Sequence, residues 1–171
     1  VIDFGYGVYL DTLDARYKDI LRHARNNYSV WKTCRQNDLI SEHSHDCWFE
    51  SIKNDPTIRM YALIGDSKLV GVAGFTSIDF SVGKAEFSYY TLPQEMRKGY
   101  GLKALKTLFA HGFQNLNLNL IWGECIQPNP ALKMFLKLGM HHEGKRRSFY
   151  YKNGKYRDAD LVSMLRSEWH G

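Results

Sequence analysis

Cysteine is scarce in this sequence: three residues, Cys34, Cys47 and Cys125, odd in number and without a CxxC pair. That excludes a disulfide framework as the source of the fold and fits a reducing compartment. No apolar run approaches the roughly 20 residues that a membrane-spanning helix needs, and no cationic segment leads into an apolar stretch of the secretory type. The expected setting is therefore cytoplasmic, with no membrane contact. Low-complexity tracts, linkers and internal repeats are missing too, so the 171 residues read as one domain over residues 1–171. A chain of that length buries about 70 % of its extended surface. There is no GxSxG nucleophile elbow, which removes one common hydrolase chemistry. Glu42-His43-Ser44-His45-Asp46-Cys47 holds metal-competent side chains. No second cluster of similar density follows, so a polar helical face is expected there and no metal.

What is present is aromatic and basic. Aromatic residues make up 14 % of the chain and the formal net charge is +5. That charge favours an anionic partner, a phosphorylated cofactor or a nucleic acid, without choosing between them. Along the chain, Tyr6–Leu10 reads as a first strand, and Leu13, Tyr17, Ile20, Leu21 and Ala24 form one apolar helical face. A second helix is expected from Ser41 as N-cap, with Trp48, Phe49 and Ile52 inward. Thr57–Ile64 and Lys68–Ile78 read as strands joined by a tight hairpin at Gly65-Asp66-Ser67. After a turn at Val82-Gly83 comes a strand over Ala85–Pro93, then an amphipathic helix over Leu102–Leu116 and a strand over Leu118–Ile126. Asn129 as N-cap, Pro130 at N1 and Gly139 at C′ bound a short helix. Arg147–Tyr151 and Tyr156–Leu165 form a last hairpin around Asn153-Gly154. The order β-α-α-β-β-β-α-β-α-β-β implies a mixed α/β sheet with helices on its faces.

The most informative segment is Arg97-Lys98-Gly99-Tyr100-Gly101, between the aromatic strand and the amphipathic helix. Glycines let the backbone approach closely, first-turn amides are free to donate, and the helix dipole favours negative charge. Two flanking cations complete an anion cradle extending to Leu102. From Glu86 through this loop, its helix, the Leu118 strand, the Asn129 helix and Leu138-Gly139-Met140, the chain resembles the acetyl-CoA-binding core of the GNAT superfamily of N-acetyltransferases. Glu143-Gly144, Lys152-Asn153-Gly154-Lys155-Tyr156 and Asp158 are similar to the subgroup of ribosomal-protein N-terminal, spermidine and amino-sugar acetyltransferases; Arg25-Asn26 is compatible with it. The resemblance implies a mostly antiparallel GNAT sheet (α+β in character) with strands splayed at the cofactor site.

The resemblance also implies roles. Acetyl-CoA is the expected co-substrate, its pyrophosphate wrapped by amides of Arg97, Lys98, Gly99, Tyr100, Gly101 and Leu102. Its pantetheine arm would run along Tyr89, Tyr90 and Thr91, and Asn129 adds a further cofactor contact. A backbone amide of that strand can stabilise the tetrahedral oxyanion. The chain departs from the family pattern at Met96, where Gln or Arg is usual, and at Phe135, where the family often carries a Tyr that protonates the leaving thiolate. A thiol of pKa ~8.5 loses at most about 2 kcal/mol at pH 7 without that acid, whereas a primary amine near pKa ~10.4 costs roughly 4.6 kcal/mol to deprotonate. A base therefore matters more than the missing acid. Glu86 and Glu124 are the candidates, acting directly or through water, with Glu86 placed first. For each, the alternative is a strand residue facing solvent or paired with Arg. Tyr90 and Tyr150 are further hydroxyl sources.

The expected partner is an amine acceptor attacked in a ternary complex without an acyl-enzyme. Small-molecule or sugar amines rank slightly above protein N-termini, and a polyamine stays open. A homodimer is compatible with the sequence. The alternative is a nucleic-acid-associated module with this fold, or an acetyltransferase of a modified nucleobase or tRNA. It draws on Lys145-Arg146-Arg147 and Phe149-Tyr150-Tyr151-Lys152, for which an edge hairpin with solvated basic side chains is the favoured reading.

Overall fold

The computed structural model describes residues 1–171. Seven strands form one sheet: β1 (Tyr9–Thr12), β2 (Arg59–Gly65), β3 (Lys68–Asp79), β4 (Lys84–Thr91), β5 (Leu120–Ile126), β6 (His141–Lys152) and β7 (Lys155–Leu165), in the spatial order β1-β2-β3-β4-β5-β7-β6. All neighbours are antiparallel except β4 and β5, whose parallel pairing requires a crossover. The crossover is α4 (Tyr100–Ala110), continued by a π-helical turn over His111–Asn115. The other helices are α1 (Lys18–Asn26), α2 (Tyr28–Trp31), α3 (Glu42–Asn54) and α5 (Ala131–Leu138). None of them is long and apolar enough to cross a membrane.

Strand alternation divides the residues of β4 between two faces. Phe87 and Tyr89 join the main core with Leu105, Leu108 and Phe109 of α4 and Phe135 of α5. Tyr90 packs into a smaller cluster on the opposite face with Leu21 and Ala24 of α1 and Phe49 of α3. Side chains such as Phe75, Phe109 and Leu108 are fully buried, each worth about 1.5–3 kcal/mol of transfer free energy. Both tight hairpins form as the turn residues demand. Asp66 and Ser67 (φ 48° and 60°) link β2 to β3, and Asn153 and Gly154 (φ 51° and 74°) link β6 to β7.

Several boundaries differ from the sequence expectation. The first strand lies at Tyr9–Thr12, because Gly5 and Gly7 take positive φ (79° and 82°) and keep the chain before it from extending. Ile20 is exposed, off the α1 face formed by Leu21 and Ala24. The short α2 was not expected; the Asn27 side chain caps it by accepting from the Ser29 amide at 3.0 Å. Ser41 caps α3 as anticipated. Helix α4 starts two residues before the expected Leu102, so Tyr100 and Gly101 are helical. Strand β6 begins at His141, six residues before the expected Arg147. Its charged first half lacks apolar alternation, and pairing with β7 overrides that weak local preference.

Candidate active site

The parallel pair β4/β5 is matched at only three positions, Lys84 with Leu120, Ala85 with Ile121 and Glu86 with Trp122. Beyond these the strands part, although β4 stays paired to β3 as far as Thr91 and β5 to β7 as far as Ile126. The sheet thus opens internally and leaves one edge of β4 with unpaired peptide groups. Phe87 accompanies the opening. Its ring lies over Gly123, where a Cβ would come within 2.4 Å of Cε1, and meets Phe135 edge-on at 5.2 Å.

The opening is a cleft of about 370 Å³ whose lining includes Glu86, Tyr89, Tyr90, Thr91, Glu124 and Asn129. Those six expected site residues are therefore brought together. Residues Arg97–Leu102 do not line the cleft, but they adjoin it: Met96 is part of its wall, and a Cβ on Gly101 would stand 3.6 Å from the Tyr89 ring. Gly99 precedes α4 with φ 83°, and no side chain caps that helix. Its first-turn amides therefore have no capping side chain as acceptor. The Tyr100 ring is buried in the core and its hydroxyl donates to Asp66, leaving only its backbone for an anion. Lys98 Nζ donates to Glu95 Oε2 at 3.1 Å, and Lys68 holds the other oxygen at 2.9 Å. Hydrogen bonding to Lys68, reinforced by Lys98, lowers the Glu95 carboxyl pKa. Arg97 is exposed and in no ion pair, so it is the uncommitted cation of the loop. Asn129 Oδ1 accepts from the Ala131 amide at 2.9 Å, but α5 starts one residue later than expected, with Pro130 rather than Asn129 at the N-cap position.

The carboxylates are arranged around a residue that sequence reasoning missed. Arg35, from the loop between α2 and α3, donates to Glu86 Oε1 and, at 2.9 Å, to Glu124 Oε2. Glu124 also accepts from Arg146 at 2.6 Å and from the Tyr150 hydroxyl, and its side chain is only 3 % exposed. Both of its oxygens are engaged, whereas Glu86 Oε2 has no protein donor. Burial opposes the charge on Arg35, but the hydrogen bond and charge of Glu86 outweigh it and raise its pKa, so Arg35 stays cationic. Burial, then the bond to Glu124, raises the pKa of Tyr150 and keeps its proton in place. Arg146, expected as a solvated cation, is exposed and also reaches Glu124 with its guanidinium.

Phe135 is buried against Phe87 and Tyr89 and offers no hydroxyl. The phenols bordering the cleft are Tyr89 and Tyr90, whose pKa values burial pushes well above the usual range. Neither nearby thiol is activated. Burial, with Asp160 adding, pushes Cys125 up to about 12, and burial also raises Cys34 against the opposing charges of Arg25 and Lys152. A thiol held protonated is a poor nucleophile.

Residues 9–141 match the family "Acetyltransferase (GNAT) domain", and the chain belongs to that family. Among curated relatives, an uncharacterized N-acetyltransferase p20 of Bacillus licheniformis is 31 % identical over 105 residues, covering 61 % of this chain and 59 % of that protein. The spermidine N(1)-acetyltransferase of Vibrio cholerae is 23 % identical over 167 residues, covering 94 % and 92 %. The crystal structure of spermidine N-acetyltransferase from Vibrio cholerae in complex with CoA and spermine superposes with a TM-score of 0.90 at 20 % identity, covering 95 % of this chain and 97 % of that one. The expected fold, a mostly antiparallel sheet splayed between two strands, is the one found.

Proposed function

We propose that this protein transfers the acetyl group of acetyl-CoA to a primary amine by direct attack in the β4/β5 cleft. The observation that carries this reading is the sheet opening beside an uncapped helix N-terminus. One element offers peptide groups in strand geometry to the pantetheine arm, and the other offers amides and a helix dipole to the pyrophosphate. Acetyl-CoA supplies the activated acyl group; the protein supplies position and proton management. Amides of Arg97 to Leu102 hold the diphosphate, with Arg97 as the added charge. Lys98 is secondary, being committed to Glu95. Tyr89, Tyr90 and Thr91 align the arm, and Asn129 fixes the start of α5 beside it.

Glu86 is the base, because it retains an oxygen without a protein donor while Glu124 is fully engaged. Glu124 holds Arg35 and Tyr150 around the acceptor. Protonated thiols at Cys34 and Cys125 support direct attack over an acyl-cysteine intermediate. The relatives support an amine acceptor; small-molecule or sugar amines, polyamines and protein N-termini are the classes to compare. Calorimetric titration with CoA and dephospho-CoA tests the cofactor half, and thiol release across an amine panel tests the chemistry. Binding in the micromolar range is expected, and failure of both CoA forms to bind at millimolar concentration would overturn the reading.

A further inference from the structure

On the face of the sheet that carries Glu86, the cleft meets a second cavity of about 390 Å³ under α3. The two share Arg25, Thr76, Ser88 and Tyr90, and the second adds His45 and Trp48 to its walls. Arg25 stands where they join. Its one protein hydrogen bond runs from Nε to Gln36 Oε1 at 3.2 Å, and its guanidinium lies 5.6 Å from the centre of the Tyr90 ring. A guanidinium has five N–H donors, so four remain at the junction. No carboxylate lies within ion-pair distance of it, whereas Arg35 and Arg146 hold carboxylates and Arg59 and Arg166 hold backbone carbonyls.

The surroundings do not supply the missing negative charge. Lys152, 3 % exposed and also without a carboxylate, rests on the Trp31 ring at 4.9 Å and donates to Gln36 O and Asn37 Oδ1. The two carboxylates of the cleft are already matched by Arg35 and Arg146. A polycation entering here finds no surplus negative charge, and an anion finds a half-buried arginine with open donors.

We infer that the acceptor amine carries an anionic group, a carboxylate or a phosphate, which Arg25 binds while the amine faces Glu86. This deepens the acetyltransferase reading and rests on it. The body of such an acceptor lies along Tyr90, with room toward Trp48 and His45.

The test uses the full chain and amines paired by the presence of the anion: phenylalanine against phenethylamine, and glucosamine 6-phosphate against glucosamine, with spermidine as the polycation. The anion-bearing member of at least one pair should win by about 10- to 100-fold in kcat/KM, the range of a charge-assisted hydrogen bond, and the responding pair identifies carboxylate or phosphate. In Arg25→Gln the preference should collapse toward parity, and Arg25→Lys should retain part of it. A merely structural loss would slow both members equally and leave the ratio unchanged, which overturns the inference, as does a preference for spermidine or for the anion-free twins. Calorimetry of the same amines, with and without CoA, reads the preference independently of turnover; equal or absent binding of the anionic probes overturns it. A CoA titration that fails instead strikes the acetyltransferase reading itself.

Discussion

The two sides of the cleft are built by different means. The proposed cofactor side is mainly backbone contiguous in sequence, one strand, one loop and one helix start between Tyr89 and Leu102, with Asn129 added from farther along the chain. The acceptor side is made of side chains from distant segments, Arg35 meeting Glu86 across 51 positions and Glu124 across 89. Backbone recognition tolerates changes in side chains as long as φ and hydrogen-bond direction survive. Recognition by converging side chains is sensitive to each of them. On the proposed assignment, the cofactor side tolerates sequence change and the acceptor side is free to set the substrate.

The strongest test of this contrast removes the proposed base. Glu86→Gln should lower kcat/KM by about 100-fold or more, within the range of general-base contributions. Glu124→Gln should cost less than about 10-fold, since Glu124, with both oxygens engaged, is proposed to position rather than to abstract; equal losses would show that the two carboxylates act as one unit. Next comes the wedge between the strands. Gly123→Ala would bring a Cβ within 2.4 Å of the Phe87 ring. Overpacking of this kind costs about 2 kcal/mol, a fall in Tm of roughly 4–8 °C at this length. An unchanged melting curve would mean that Phe87 is free to move aside.

On the cofactor side, a Cβ at Gly99 meets nothing within 4 Å, so its substitution acts through backbone conformation alone. An L-residue at that positive φ costs about 1–2 kcal/mol, and Gly99→Val should weaken CoA binding by about 5- to 30-fold as the loop relaxes. Calorimetry showing unaltered affinity would remove the loop from the binding surface.

The smallest effect concerns pH. Burial lowers the pKa of His45, packed between Trp48 and Phe49 under the acceptor side. The unfolded chain then binds the proton more readily than the native one, so this stability is full above about pH 6.5 and is lost as pH falls below it. Replacing His45 by Phe should flatten the decline in Tm between pH 7 and 5. An unchanged slope would assign the decline to other groups, His111 among them, whose pKa burial also lowers.

Legibility followed the same division. Both hairpins were readable because positive φ at Asn153-Gly154 and at Asp66-Ser67 is a local demand of the turn. The loop before α4 was readable because glycine and cation spacing is a local pattern, and Ser41 announced α3 through its cap. The first half of β6 was not readable, since His141-His142-Glu143-Gly144-Lys145-Arg146 has no strand periodicity and is extended only by its partner β7. Arg35 carried no signal either. Nothing around Thr33-Cys34-Arg35-Gln36 distinguishes it from a solvated loop cation until the chain folds it over two carboxylates.

The amino-acid order alone determined the succession of strands and helices apart from the short α2, the turn chemistry and the glycine and cation spacing of the loop before α4, because each depends on interactions within a few residues. The tertiary structure decided which carboxylate keeps a free oxygen, which cations are neutralised and which one, Arg25, is left facing a cavity. Charge pairing is settled by distances of a few ångströms between segments far apart in the chain, and no local pattern encodes those distances.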